Sequence, residues 1–481
     1  MRVLYVSTEV HPALKTGGLA DVNAALPAAL AHAGADVRLL LPAFPALKAA
    51  AEPTGTAVGV KCPPAAGTVE FLPCRLGGIA GWLVDAPALY ARPGNPYVGP
   101  DGSDWPDNAR RFATLGWAAA RFADGGIGHW RADIVHCHDW HAALAPAYLR
   151  ARGGALPGTV FTIHNLGFQG SFPPDQFAGL GLPAHFFAMH GVEFHGSLNF
   201  MKAGIHYADR VTTVSPTYAQ EIQTVAHGFG MDGLLRSRAG ALTGILNGVD
   251  TAAWNPARDA ALPAPFAPGL LEGKAVCRER LRAEFGLARA PGGPLIGVVS
   301  RLTAQKGLDL LLDALPAVLA IGGQIVMLGS GEPALEARWA DAARTHPGTV
   351  AVRQGYDEAL AHRIFGGADM VAVPSRFEPC GLTQMYGLLY GALPLARRTG
   401  GLADTVRDAT AAARAAGRAN GFLFEAASAD DLAAALHRAG ALWREPAAWR
   451  LVQDVGMRER FGWADAASRY MDVYRDLRPA A

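Results

Sequence analysis

The residue types best suited to chemistry lie in short segments where an apolar run gives way to a helical pattern. The densest of these is VPSRFEPCGLTQMYGLLYG, which holds Glu378, Pro379, Cys380, Gly381 and Thr383. A carboxylate on a rigid turn can accept hydrogen bonds from hydroxyls, and the free N–H groups of a helix start can face a phosphate. A Pro-Cys-Gly turn with a capping Thr would account for the turn, but not for Glu378 upstream of it. In SRLTAQKG, Arg301 and Lys306 stand five apart in a loop that opens a helix at about Leu308. Two cations beside a helix N-terminus can cradle a diphosphate through charge-assisted hydrogen bonds, although such a pair taken alone is more often solvated.

Near the start, STEVHPALKTGGLADV places Lys15, Gly17, Gly18 and Asp21 just before a helical stretch, where a lysine and backbone N–H groups could meet a phosphate. An isolated KxGG is more often a turn with a solvated lysine. Two further runs end in polar residues. ADIVHCH leads into His138, Asp139, Trp140 and His141, and TVFTIHN ends in His164 and Asn165, a setting for a sugar-sized polar ligand. Zinc is disfavoured there, because strand alternation sets His136 and His138 apart from His141 at the next helix start, and there is no HExxH or cysteine pair. His136 and His141 read as structural histidines. RRTGGLADTV adds a Gly-Gly turn at Gly400 and Gly401, compatible with one more backbone approach to a ligand. GSGEPA (Gly329, Gly331, Ala334) formally matches a dinucleotide fingerprint, yet Pro333 interrupts it and no acidic residue ends a run about twenty residues on.

These segments need rigid elements to hold them, and the sequence supplies apolar runs of strand length. In the first half they are Val3 to Val6, Asp36 to Leu41, Ala132 to His138, Thr159 to His164 and Asp209 to Ser215. A helical stretch from Val22 to His32 follows the first. A Pro/Ala-rich linker around Pro256 to Pro268 and a helix-like stretch from Lys274 to Phe285 precede a second set: Leu295 to Ser300, Gln324 to Gly329, Thr349 to Gly355, Ala368 to Ser375 and Ala392 to Ala396. Short apolar runs alternating with helices predict parallel sheets buried on both faces, in an α/β chain of two Rossmann-like halves. Ligands of such sheets bind beyond the carboxyl ends of the strands, which is where the segments above fall.

Composition narrows the function classes. Of 481 residues, Lys plus Arg number 43 and Asp plus Glu 42, so the formal charge of +1 gives no electrostatic case for nucleic acid or an anionic membrane. No apolar stretch approaches membrane-span length, and no hydrophobic segment of a signal peptide follows Arg2, which together predict a soluble protein. The five cysteines, scattered and without a CxxC, fit a reducing cytoplasm.

Taken in order, KTGGLADV, HDWH, HNLGFQG, NFMKAGIHYAD, TTVSPTYAQEI, GILNGVD, SRLTAQKGLDL, PSRFEPCGLTQMYG and RRTGGLADTV resemble the bacterial glycogen synthases and plant starch synthases. The resemblance spans nearly the whole chain. It implies two facing Rossmann-like domains of the GT-B type with the active site in the interdomain cleft: residues 1–245 on the acceptor side, 246–462 for the nucleotide sugar, and 463–481 crossing back to the first domain. It also implies that Lys15, Gly18, Arg301, Lys306 and Thr383 meet the diphosphate or its nucleoside, that Tyr356 lies against the adenine, and that Gly381 is among the substrate-binding residues. Asp139, His164, Asn247, Glu378 and Cys380 would surround the glucose, with Glu378, His164 and Asp139 carrying the chemistry. In many relatives of the fold a second Glu, eight residues after the first, holds the ribose; here that position is Tyr386. The implied reaction moves glucose from ADP-glucose to the end of an α-1,4-glucan with retention, without cofactor or metal, in the cytoplasm, and a homo-oligomer is compatible with it. An inactive carbohydrate-binding paralogue and an NAD-linked oxidoreductase are the competing readings.

Overall fold

The structure, a computed structural model, describes residues 1–478 apart from 124, 126, 128, 129, 290 and 291; the last three residues of the stretch 463–481 thus lie outside the described residues. The chain forms two compact units. The first comprises Met1–Gly248 together with Trp463–Ala481, and the second Val249–Gly462.

In the first unit the strands are β1 (Arg2–Val6), β2 (Asp36–Pro42), β3 (Glu52–Pro53), β4 (Val58–Cys62), β5 (Gly67–Leu76), β6 (Ile79–Asp85), β7 (Ile134–His138), β8 (Gly158–Ile163), β9 (Ser171–Phe172), β10 (Glu193–Phe194), β11 (Ser197–Asn199), β12 (Arg210–Thr213) and β13 (Leu242–Gly244). The main sheet runs β13-β12-β8-β7-β1-β2-β6-β5-β3, with β4 beside β5. From β13 to β6 every pairing is parallel. β7 and β8 are buried at every position, so both faces are mainly apolar, and their polar residues, His136, His138, Thr159 and Thr162, are buried with them.

The segment 52–85 departs from the expected alternation of strand and helix. There β3, β4 and β5 pair antiparallel, and only β6 joins the parallel part. Half of β5 faces solvent, so its apolar residues alternate with polar ones and leave no run to recognise. The first helix also begins earlier than expected, at Gly18 rather than Val22. Its N-cap is Gly17, which provides no side-chain cap, so the first N–H groups of the helix stay open. The terminal helix Trp463–Leu477 packs on this helix and on β8.

The second unit holds β14 (Leu295–Val299), β15 (Gln324–Gly329), β16 (Val350–Gln354), β17 (Met370–Val373), β18 (Leu393–Arg397) and β19 (Phe422–Phe424), all parallel, in the order β16-β15-β14-β17-β18-β19. Alternate residues feed two cores: Ile296, Val298, Ile325 and Met327 enter one, Leu295, Val326, Leu328 and Val371 the other. Period-two burial on both faces is the signature of a sheet sandwiched between helices. Among the described residues, no helix is long and apolar enough to cross a membrane.

Candidate active site

Each sheet has one place where the order of strands reverses. In the first unit the chain proceeds from β1 outward to β2 and β6, then restarts at β7 on the other side of β1. In the second it proceeds from β14 to β15 and β16, then restarts at β17 on the other side of β14. The loops after the two strands at a switch point diverge and leave a crevice, the usual ligand site of an open parallel sheet. Lys15 follows β1 and Asp139 follows β7; Arg301 and Lys306 follow β14 and Glu378 follows β17.

In the second unit the crevice is tightly laced. Glu378, only 6% exposed, receives at Oε2 a 2.6 Å bond from Nζ of Lys306 and a 2.9 Å bond from Oγ of buried Ser375. One carboxylate oxygen is thereby fixed by a cation and a hydroxyl. The turn that carries Glu378 is held from behind. Arg397 donates to the carbonyls of Ser375, Arg376 and Glu425, and Gln384 donates to those of Cys380 and Gly381. Gly381 has φ 69°, and a Cβ there would meet Oε1 of Gln384 at 2.5 Å. Cys380 is buried within this turn.

Gly400 and Gly401 serve that turn rather than a ligand. Gly401 donates to the carbonyls of Glu378 and Pro379, both at 3.2 Å. A Cβ at either position would fall well under 3.0 Å from backbone of Glu378 or Cys380. The expected approach to a ligand is therefore an approach to the Glu378 turn itself. Thr383 opens the helix Thr383–Leu389 without capping it, the N-cap being Leu382. Arg301 is exposed. Tyr356, 65% exposed, follows β16 at the edge of the sheet, two strands from β14, and donates to Glu358 at 3.0 Å.

GSGEPA is accounted for by packing. Gly329 and Gly331 let this loop run against Ser300 and Leu302, whose backbone a Cβ would strike. The N–H of Gly331 is already taken by Glu336, at 2.7 Å. A pyrophosphate would have to displace that carboxylate.

In the first unit, Lys15 is paired with Asp21 at 2.8 Å. Its loop is pinned by Glu9, which accepts from the N–H and the hydroxyl of Thr16 at 2.6 and 2.8 Å and from the hydroxyl of Tyr97 at 2.7 Å. Asn23 donates to the Glu9 carbonyl. Around Gly17 and Gly18 the situation is opposite to that at Gly400: a Cβ on either would touch nothing within 4 Å, and neither φ is positive. Nothing in the chain requires glycine there.

Asp139 adopts φ 56°, turning its carboxylate back so that Oδ1 accepts from the N–H groups of His164 and Asn165 at 2.8 and 3.4 Å. Burial pushes its carboxyl up to about 7, the two N–H bonds work against this, and the charge of Glu9 adds to it. His164 meets His138 through a 2.9 Å bond between Nε2 and Nδ1. Burial pulls His136, His141 and His164 down to about 3, so all three are neutral near pH 7. His136 and His138 share one strand face, with ring centroids 4.1 Å apart, as residues two apart on a strand must. His136 is bonded at both nitrogens, to Tyr474 and Thr162, while His141 packs among Tyr97, Phe112 and Trp140. Asn247, after β13, is buried with its Oδ1 unpartnered. Among the described residues, no three His, Cys, Asp or Glu side chains are grouped to share a metal ion.

Residues 2–237 match the family model of the starch synthase catalytic domain, and residues 293–440 that of glycosyl transferases group 1. The chain is 52% identical over 495 residues to the glycogen synthase of Albidiferax ferrireducens, with both chains covered in full. It is 51% identical over 479 residues to that of Yersinia pestis, covering 99% of this chain and all of the relative. The chain belongs to the glycogen synthase family. Like other members it is a glycosyltransferase that takes a nucleotide-sugar donor and a glucan acceptor. The catalytic domain of starch synthase IV from Arabidopsis thaliana, solved with ADP and acarbose, superposes with a TM-score of 0.86 at 32% identity over 99% of each chain. Sucrose-phosphate synthase from Thermosynechococcus elongatus, 19% identical with a TM-score of 0.60 over both full chains, shares the fold. That fold is the GT-B arrangement of two Rossmann-like domains.

Sequence reasoning passed over Ser375, Gln384 and Arg397, and over Glu9 and Tyr97. Only Glu9 carried a signal, as a polar residue in the segment just after the first apolar run. Ser375 acts on Glu378 from three residues upstream, Gln384 and Arg397 act through backbone carbonyls, and Tyr97 reaches Glu9 across 88 residues; no spacing rule points to them.

Proposed function

We propose that this glycogen synthase family member transfers glucose from ADP-glucose to the non-reducing end of an α-1,4-glucan with retention of configuration, releasing ADP, in the cytoplasm. The observation that carries this reading is the pair Lys306–Glu378 at the switch point of the second unit, a fixed cation and a fixed carboxylate 2.6 Å apart. Lys306 and Arg301 would neutralise the departing diphosphate, aided by the open N–H groups at Thr383, which suffices electrostatically without a divalent ion. Glu378 would face the sugar as positive charge develops at its anomeric carbon, with Oε1 toward substrate. Tyr356, exposed and beyond the edge strand, would offer its ring to the adenine, and Cys380 and Gly381 would line the glucose.

In the first unit, the open space beside Gly17 and Gly18 suits close approach of the donor's phosphates, and Lys15 would exchange Asp21 for them. Asp139, His164 and Asn247 would hold glucose hydroxyls. With no second carboxylate identified as a covalent nucleophile, attack from the same face as the leaving group is favoured. ADP bound to the Arabidopsis relative supports the choice of adenine nucleotide.

The test is transfer of labelled glucose to glycogen from ADP-glucose and UDP-glucose in competition, with excess EDTA present. A higher kcat/KM for UDP-glucose would refute the donor assignment, and loss of activity restored by Mg²⁺ would refute the role of the fixed cations. Glu378→Gln should lower kcat on the order of 10²-fold or more while leaving donor affinity nearly intact.

A further inference from the structure

We infer that His138 is a positioning residue for His164: it donates its Nδ1–H to Nε2 of His164 and so holds that imidazole in the Nδ1–H tautomer, presenting the sugar with a hydrogen-bond donor. The sugar as recipient rests on the proposed function; the tautomer does not.

The two ring nitrogens are 2.9 Å apart, so one carries the proton and the other the lone pair. His138 Nε2 decides which. That atom is buried with no hydrogen-bond partner in the protein. If Nδ1 of His138 were the acceptor, the proton of a neutral His138 would sit on Nε2 as an orphaned buried N–H. If Nδ1 is the donor, Nε2 is left with only a bare lone pair. Unpaired buried N–H groups are the rarer and costlier of the two kinds of orphan, so the second arrangement wins.

The ring of His138 cannot turn to escape this choice. One face stacks on Tyr5, with centroids 4.0 Å apart and planes 26° from parallel, and Tyr5 is tied by its hydroxyl to Asn23 at 2.7 Å. His136 lies against it at 4.1 Å and is held at both nitrogens, by Tyr474 and Thr162. Charging either member of the pair would place a cation among neighbouring imidazoles, and burial holds both His138 and His164 neutral. With Nε2 of His164 accepting, its proton must be on Nδ1, the nitrogen left for a ligand. Such a His164 can donate to a sugar hydroxyl or ring oxygen but cannot take a proton there. This assigns it to holding the sugar and removes it as a general base, in keeping with attack that needs no enzymic nucleophile.

The tautomer is read directly by nitrogen-15 NMR of the full chain carrying labelled histidine, with His164→Gln identifying the signal of His164. The expected spectrum shows His164 protonated at Nδ1, opposite to the form preferred by free histidine. In His138→Phe, which keeps the stack but has no N–H, Nε2 of His164 faces carbon and the bond that orients the ring is gone, so kcat/KM should fall about tenfold, the loss of one ordinary hydrogen bond. His138→Asn, whose amide can offer a donor where Nδ1 stood, should restore kcat/KM and keep His164 protonated at Nδ1. A wild-type or His138→Asn protein with His164 protonated at Nε2 overturns the inference, as does a His138→Phe protein with unchanged kcat/KM. Should His138→Phe fail to fold, the wild-type spectrum and His138→Asn decide. A chain that shows the Nδ1–H form but transfers no glucose from ADP-glucose would sink the proposed function and leave the tautomer lock standing.

Discussion

Acid should destabilise the first unit, and the slope can be worked from its buried histidines. His136, His141 and His164 each fall from an ordinary 6.5 to about 3 on burial, so between those values the unfolded chain binds a proton that the folded chain refuses. Their contribution to stability is present above 6.5 and is lost as pH falls, by about 1.4 kcal/mol per pH unit for each. From pH 7 to pH 5 the three together cost about 6 kcal/mol. His138 is shifted in the same direction and adds to the loss. Asp139 opposes it. Its carboxyl is raised from 3.8 to about 7, so the folded form takes the proton first and gains stability as pH falls through that window. Over the same two units this returns about 2 kcal/mol, leaving a net loss of at least about 3 kcal/mol. Against a typical total of about 5–15 kcal/mol, that is a large share.

Hydrogen exchange of amides in β7 and β8, corrected for the intrinsic pH dependence, measures this directly. Protection there should fall by about two powers of ten between pH 7 and pH 5. His141→Phe, which keeps the aromatic packing and removes one titrating ring, should lower proton uptake on unfolding by about one. Protection that is flat or rises toward pH 5 would refute the reasoning, because it would mean that the buried rings are charged in the folded protein.

Three further outcomes follow from the geometry of the loops. Gly400→Ala puts a methyl onto the Glu378 carbonyl and should lower kcat on the order of 10²-fold; kinetics near wild type would show that this turn tolerates displacement. Gly18→Ala meets nothing in the chain, so the melting temperature should hold while KM for the nucleotide sugar rises; an unchanged KM would remove the ligand from that space. Ser375→Ala deletes one of the two bonds that hold Oε2 of Glu378 and should cut kcat by about tenfold with little change in thermal stability, read by steady-state kinetics beside a melting curve.

Most of the parallel strands were legible because a strand buried on both faces is mainly apolar and has no exposed position to interrupt it, as β8 and β15 show. The antiparallel strands of residues 52–85 were not, since a half-exposed strand such as β5 alternates and resembles a loop. The segments rich in reactive types were likewise legible at the ends of those runs. Their partners were not: Arg397 reaches the Glu378 turn only because β18 lies beside β17, and Tyr97 reaches Glu9 across 88 residues.

The sequence by itself determined the α/β class, the parallel strands and the positions of the reactive segments, because periodicity and turn chemistry are local properties of the chain. Only the tertiary structure decided what each reactive group touches. It set Glu378 between Lys306 and Ser375, turned Gly400 and Gly401 toward the Glu378 backbone, left Gly17 and Gly18 open, and joined His138 to His164. Strand order is the physical reason. Which strand ends become neighbours is fixed by long-range pairing across the sheet, so the same local segments acquire their partners, their burial and their protonation only once the sheets are assembled.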